Sequence, residues 1–251
     1  VSNACISGAA ALIAARRELL ADRCDPLADR CDAAVVIGAD MLSRFVVSGF
    51  QSFKALSAAP CRPFDAERSG LNLGEAAATI ILTRRAAKDL RPSDAVLTDG
   101  AIRNDANHIS GPSRTGEGCF RALRHILRDI PAERLTNEIA FVNAHGTATP
   151  YNDEMESIAL TRAGLDRVPV NSLKGYFGHT LGAAGVLETI LAVHALRAGI
   201  VLPTAGFRTS GVTHPIRIAD STSPVTARRC VKMLSGFGGC NATLLLSLHA
   251  D

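Results

Sequence analysis

Apolar positions along the chain fall into two alternating patterns. Residues 6–20 form an Ala- and Leu-rich run with its charges gathered at the end, which predicts a buried helix. Residues 33–39 (AAVVIGA) and 76–82 (AAATIIL) are short uninterrupted apolar stretches, the pattern of strands covered on both faces. Helical spacing returns over 116–129 through Phe120, Leu123 and Leu127, and Pro131 stops it. Residues 139–143 (IAFVN) predict a strand, and 153–163 a helix with acidic residues in its first turn, where they favour the macrodipole. A long helix of small and aliphatic residues follows over 182–198, then a last strand over 242–248. Short strands alternating with helices predict an α/β layered fold. Proline and charges at 91–94 mark a weak boundary between 1–92 and 93–251.

Composition narrows this picture. With 251 residues, 47% of them hydrophobic, the chain can bury a sizeable core, which excludes a disordered tail or a disulfide-dependent miniprotein. Aromatic residues are 4% and Trp is absent, so Ala, Val, Ile and Leu must fill the core, and stacking platforms for nucleic-acid bases are not expected. The net charge of +3 is spread over both signs without a long basic run, so neither nucleic acid nor an anionic membrane is implied. The cysteines are Cys5, Cys24, Cys31, Cys61, Cys119, Cys230 and Cys240, an odd set without C-x-x-C or zinc spacing. Free thiols in a reducing, cytoplasmic setting are the expectation. The first residues lack the pattern of a signal peptide, and no apolar stretch is long enough for a transmembrane helix. The chain opens on Val1, so a processed chain or part of a longer one is expected.

Reactive residue types collect in the loops. Cys5 stands just before a predicted helix among small residues, where helix N–H groups favour a thiolate. The logic is that of a nucleophile elbow, although a buried structural cysteine is an equal alternative. His145 follows directly on a predicted strand, a place where α/β sheets carry reactive groups, but also one where a core histidine can sit. Residues 171–180 combine Lys174 with His179, whose position beside a helix start predicts a neutral imidazole able to polarise a carbonyl. In Gly236-Phe237-Gly238-Gly239, Phe237 tips either an ordinary turn or a gate over a pocket.

Together these supply one nucleophile, two histidines, a lysine and a glycine-rich aromatic loop. On these residues the chain resembles the elongating β-ketoacyl-[acyl carrier protein] synthases of the thiolase superfamily. The resemblance runs in order through Ala4-Cys5, Arg62-Pro63-Phe64-Asp65 with Arg68, Gly70 and Gly74-Glu75, then Asn143-Ala144-His145-Gly146-Thr147-Ala148-Thr149-Pro150. It continues through Lys174, Gly178-His179, Leu181-Gly182-Ala183-Ala184-Gly185 and Gly236-Phe237-Gly238-Gly239. It implies a thiolase-like layered fold, helices packed on mixed sheets, incomplete at the N-terminus because family members carry a long stretch before the nucleophile. Residues 1–92 would be the remainder of the N-terminal half and 93–251 the C-terminal half with both histidines and the lysine.

The resemblance implies that Cys5 accepts an acyl group from an acyl carrier protein. His145 and His179 would stabilise the enolate from a malonyl thioester, and Lys174 would orient the histidine region with Glu188 as partner. The N–H groups of Cys5 and Phe237 would form an oxyanion hole, with Phe237 as the gate. Thr147 and Thr149 would bind the phosphopantetheine arm, so no metal or nucleotide cofactor is required. The implied partners are the carrier, a homodimer or ketosynthase heterodimer mate, and the missing upstream segment. Ser235, Cys240 and the 104–112 stretch depart from the family's usual pattern. Competing readings are a thiolase-type acyltransferase, a Cys-His hydrolase, and a non-catalytic carrier-docking or dimerisation subunit. The first is disfavoured because thiolases use a second cysteine where this chain offers histidines.

Overall fold

The computed structural model describes residues 1–21 and 31–250, so the expectation of a free thiol at Cys24 lies outside the described residues. In chain order the elements are α1 (Ser7–Leu20), β1 (Ala33–Asp40), α2 (Arg44–Ser52), β2 (Ala76–Thr83), β3 (Ala95–Asn104) and α3 (Glu117–Ile126). There follow α4 (Leu135–Glu138), β4 (Ile139–Asn143), α5 (Pro150–Arg162), β5 (Val170–Asn171), α6 (Lys174–Phe177) and α7 (Ala184–Arg197). The chain ends through β6 (Ile200–Val201), β7 (Ser223–Pro224), β8 (Arg229–Gly236) and β9 (Cys240–Leu248).

Five strands form a mixed sheet in the order β3-β9-β8-β4-β5, with β4 parallel to both β8 and β5 and the rest antiparallel. Its two faces are set by the period-2 alternation of strand side chains. Val231, Met233 and Leu245 pack with Leu123 and Ile126 of α3 and with Met155, Ala159 and Leu160 of α5. Leu234, Ala242 and Leu244 pack with Leu12 and Ile13 of α1 and Val186 of α7. The same side helices also cover β1 through Val36. The layers therefore run α3/α5, five-stranded sheet, α1/α7, and the antiparallel β1–β2 pair. The small residues of α1 and α7 let their backbones touch: a Cβ added at Gly185 would sit 2.3 Å from the Ala9 nitrogen.

Three expectations change. Among the described residues β1 and β2 are covered on one face only: Val35, Ile37 and Ile81 are 62%, 65% and 66% exposed. Their apolar run is continuous because the outward positions are apolar too, which hides the alternation. The helix expected over 153–163 starts earlier, at Pro150, whose missing N–H costs nothing at a first helical position. The helix expected from 182 opens as a 3-10 turn, Leu181–Ala183, with Leu181 at φ 52°. Sequence pattern missed α2, β3 and β8. In β3 the apolar run is broken by a bulge between Leu97 and Asp99 and by Gly100, where an added Cβ would meet Ile13 at 2.6 Å. Among the described residues no helix is long and apolar enough to cross a membrane.

Candidate active site

The loops at one end of the layers converge on a cavity of about 500 Å³, lined by Cys5, His145, Thr147, Thr149, His179 and Phe237 among others. Cys5 enters from the turn before α1. Ala4 holds φ 44°, a left-handed conformation that costs an L-residue about 1–2 kcal/mol. The turn is tied by Ser7 Oγ, which donates to Ala4 O at 2.6 Å and accepts from the Asn3 N–H at 2.8 Å. Burial pushes the Cys5 thiol up to about 11, against the Lys174 charge and the backbone N–H groups of Phe237 and of Cys5 itself, which lower it. The thiolate expected from the helix end alone is thus overruled by desolvation, and the group is a thiol at neutral pH. The two N–H groups nevertheless converge on the sulfur.

His145 projects from the end of β4. Two buried carboxylates on α5 shape its loop. Glu156 accepts the His145 N–H through Oε1 and the Gly146 N–H through Oε2, both at 2.7 Å, and Asp153 accepts the N–H groups of Thr147 and Phe64. These acidic groups were expected to serve the helix dipole; they turn back to the preceding loop instead. Burial, with its neighbour Asp153 adding to it, raises Glu156 to about 7, and burial raises Asp153 to about 6. Gly146 has to be glycine: φ is 47° and an added Cβ would stand 2.5 Å from Ser172 Cβ. The Thr147 and Thr149 hydroxyls lie 2.8 Å apart and bond each other at the cavity wall.

His179 faces His145 with ring centroids 5.0 Å apart, nearly perpendicular. Its Nδ1 accepts the Leu181 N–H at 3.3 Å, which places the proton of the neutral ring on Nε2. That Nε2 and the Nδ1 of His145 are buried without a protein partner. Burial first, then the Lys174 and Lys232 charges, hold both rings well below the usual histidine range; His179 adds to the effect on His145. A neutral imidazole was expected at His179, but the cause is burial and two ammonium groups rather than a helix end, and the same causes act on His145.

Lys174 and Glu188 do not line the cavity. They lie behind it, fully buried, with Nζ 2.8 Å from Oε1. The other oxygen, Oε2, is 2.5 Å from the Nζ of Lys232 on β8, which sequence reasoning missed. Burial pushes the Glu188 carboxyl up, yet the two lysines outweigh it and hold the group low. Phe237 forms part of the three-residue turn joining β8 to β9, so it is at once a hairpin tip and a cavity wall. Its ring packs at 5.3 Å from Phe50 and 4.8 Å from Phe53, at the end of α2. The Gly238 N–H donates to Ile109 O, and the Asp105 N–H to Gly239 O, joining this turn to the 104–112 loop. No cluster suited to a metal ion occurs among the described residues.

Two family models match the chain in tandem, the β-ketoacyl synthase N-terminal domain over residues 1–88 and its C-terminal domain over 94–208. The chain belongs to the β-ketoacyl synthase family. A 3-oxoacyl-[acyl-carrier-protein] synthase 2 of Rhizobium meliloti is 34% identical over 221 residues, covering 82% of this chain and 51% of the relative. A mitochondrial 3-oxoacyl-[acyl-carrier-protein] synthase of Arabidopsis thaliana is 33% identical over 221 residues, with 80% and 47% covered. The chain thus spans about half the length of the curated relatives it matches. A β-ketoacyl synthase from Burkholderia phymatum superposes with TM-score 0.85 at 31% identity, over 99% of this chain and 61% of that one. A ketosynthase from Xenorhabdus doucetiae, solved with its chain length factor, gives TM-score 0.87 at 32% identity, over 99% and 59%. The layering of this chain is accordingly the thiolase-like fold.

Sequence reasoning missed Glu156 and Asp153 as loop clamps, Lys232 as the second ammonium on Glu188, and Phe50 beside His179. The available signal for Lys232 was a lone cation inside the apolar run Cys230-Val231-Lys232-Met233-Leu234.

Proposed function

We propose that this chain carries the condensing site of a 3-oxoacyl-[acyl carrier protein] synthase, which extends an acyl chain by decarboxylative Claisen condensation. The observation that supports it is the convergence on one cavity of Cys5, with two backbone N–H donors at its sulfur, and two neutral histidines.

In the first half-reaction the Cys5 sulfur takes the acyl group from a pantetheine thioester, and the thiol proton leaves on the departing pantetheine sulfur. The acyl oxygen sits at the N–H groups of Cys5 and Phe237. In the second, the malonyl carboxylate leaves as carbon dioxide and its bonding pair becomes an enolate. The Nε2–H of His179 donates to the developing enolate oxygen, and His145 supplies the second imidazole. Each such donor is worth about 3 kcal/mol of barrier. The enolate carbon attacks the acyl carbonyl, a carbon–carbon bond forms, the carbon–sulfur bond breaks, and Cys5 leaves as a thiolate that takes a proton from solvent. Neutral rings suit this role, because the cavity must stabilise a transient oxyanion without being an acid strong enough to quench it.

The chemistry is redox-neutral. The phosphopantetheine arm arrives with the substrate, and the hydroxyls of Thr147 and Thr149 on the cavity wall would meet its amides. An acyl carrier protein is therefore the proposed partner. A paired subunit, identical or chain-length-factor-like, is proposed from the complexes solved for the similar ketosynthases. A fatty-acid or polyketide role fits equally.

Incubation with an acyl-phosphopantetheine thioester, read by intact mass and peptide mapping, tests the reading. An acyl adduct on Cys5 that is absent in Cys5→Ala supports it. No adduct, or an adduct on another residue, overturns it.

A further inference from the structure

The buried charges behind the histidines do not balance. Glu188 on α7 holds one ammonium at each oxygen, Lys174 at 2.8 Å and Lys232 at 2.5 Å, and all three side chains are fully shielded from solvent. Lys174 and Glu188 alone would form a neutral pair. The second lysine adds a positive charge that pairing does not need, and replacing buried ions by apolar groups of similar volume is often neutral or stabilising. The remaining donors of Lys232 Nζ show where its effect goes. They reach Met233 O at 2.8 Å, Ala144 O at 3.3 Å and Asn143 O at 3.5 Å. The Ala144 carbonyl belongs to the peptide group whose nitrogen is that of His145. On the other side of the same peptide, Glu156 accepts the His145 N–H.

We propose that Lys232 is a positioning residue for His145: its ammonium, anchored on Glu188, grips the carbonyl end of β4, aims the imidazole into the cavity and sets a positive charge behind that ring. The inference rests on the condensing-site reading above. Two oppositely charged groups on different elements thus hold one peptide bond from both ends, Lys232 from β8 and Glu156 from α5. The charged and titratable groups around His145 are Lys174 on α6, Lys232 on β8, Glu188 on α7 holding both lysines, Glu156 and Asp153 on α5, His179 before α7, and the Cys5 thiol before α1 in the same cavity. Burial, with Lys174 adding to it, lowers Lys232 to about 8 against the pull of Glu188, so its charge is present at neutral pH.

Lys232→Met keeps length and volume and leaves the neutral Lys174–Glu188 pair, so it should fold and keep iodoacetamide labelling of Cys5. Decarboxylation of malonyl-pantetheine should lose on the order of 10–100-fold in kcat with KM little changed. Removing a positive neighbour makes His145 easier to protonate, so the acid limb of the kcat profile should move up by roughly one pH unit. Lys232→Gln keeps a donor for the Ala144 carbonyl without the charge. It should recover part of kcat but not the acid limb, and it decides the matter if the Met variant does not fold. Histidine ¹⁵N titration of His145 in parent and variants reads the same shift without turnover. If the parent itself shows no decarboxylation, the condensing-site reading fails while this titration still tests Lys232. Parental kcat, an unmoved acid limb or an unmoved His145 titration in a folded variant overturns the inference.

Discussion

Glu156→Gln separates the stability of the fold from the alignment of the site. The parent carboxylate accepts the N–H groups of His145 and Gly146 at 2.7 Å each, and Asn152 Nδ2 donates to it at 2.9 Å. A glutamine has one accepting oxygen, so its amide NH₂ must face one of those backbone donors. Losing a charged hydrogen bond costs about 1.5–3 kcal/mol and stranding a buried donor about 1–3 kcal/mol more. Against this, the variant removes a buried charge whose pKa is raised to about 7, a relief of roughly 3 kcal/mol at most. The net loss of stability near neutral pH should therefore be small, about 1–2 kcal/mol, while decarboxylation falls on the order of 100-fold as the His145 loop shifts. The pH dependence has a definite sign. A carboxyl whose folded pKa lies above its unfolded value contributes stability that is full below about 4.5 and lost as pH rises through about 7. The variant lacks this titration. Urea unfolding from pH 5 to 8 should then show a deficit that is largest at pH 5 and shrinks toward pH 8. A deficit that grows toward pH 8, or full activity in the variant, would refute the reasoning.

Phe237→Ala keeps the backbone N–H at the sulfur but removes the ring packed at a tilt against Phe50 and Phe53. Acyl loading of Cys5 should persist, stability should fall by about 1–2 kcal/mol, and discrimination between empty and acylated site should weaken; unchanged order of substrate use counts against a gate. Burial raises the Cys5, Cys61, Cys119 and Cys230 thiols above the ordinary cysteine value of 9.0. In the unfolded chain they ionise first, so stability should fall as pH rises above 9, by up to about 1.4 kcal/mol per pH unit for each thiol. Thermal melts at pH 8, 9 and 10 check this, and a flat profile contradicts it.

The parts of the site that sequence made legible are those whose residue type is itself unusual for its place. A cysteine before a small-residue helix, a histidine at a strand end and a glycine-bracketed phenylalanine each stand out, and the structure brings all of them to one cavity. The supporting charges were harder to read. Asp153 and Glu156 looked like first-turn helix acids because sequence spacing cannot show that the preceding loop folds back over them. Lys232 sits in an apolar strand whose partner on α7 is 44 residues away. For the fold, β4 and β9 were evident from their dominant apolar residues, Ile139 to Val142 and Leu244 to Leu246. By contrast α2, with Val46, Val47 and Gly49 in its short span, offers little helical preference and is held by a Ser43 cap and the packing of Phe50. The exposed face of β1–β2 was unreadable for a physical reason: Val35, Ile37 and Ile81 have the composition of a core while facing outward in this chain.

Condensation itself is the most direct measurement. The protein is given an acyl thioester on phosphopantetheine and a malonyl thioester labelled with ¹³C at all three malonyl carbons, and the carrier-bound product is analysed by mass. The account predicts a β-ketoacyl thioester lengthened by two labelled carbons, with the third label released as carbon dioxide, and no lengthened product in Cys5→Ala. An acyl chain that stays at its original length, or one released as free acid, would contradict it.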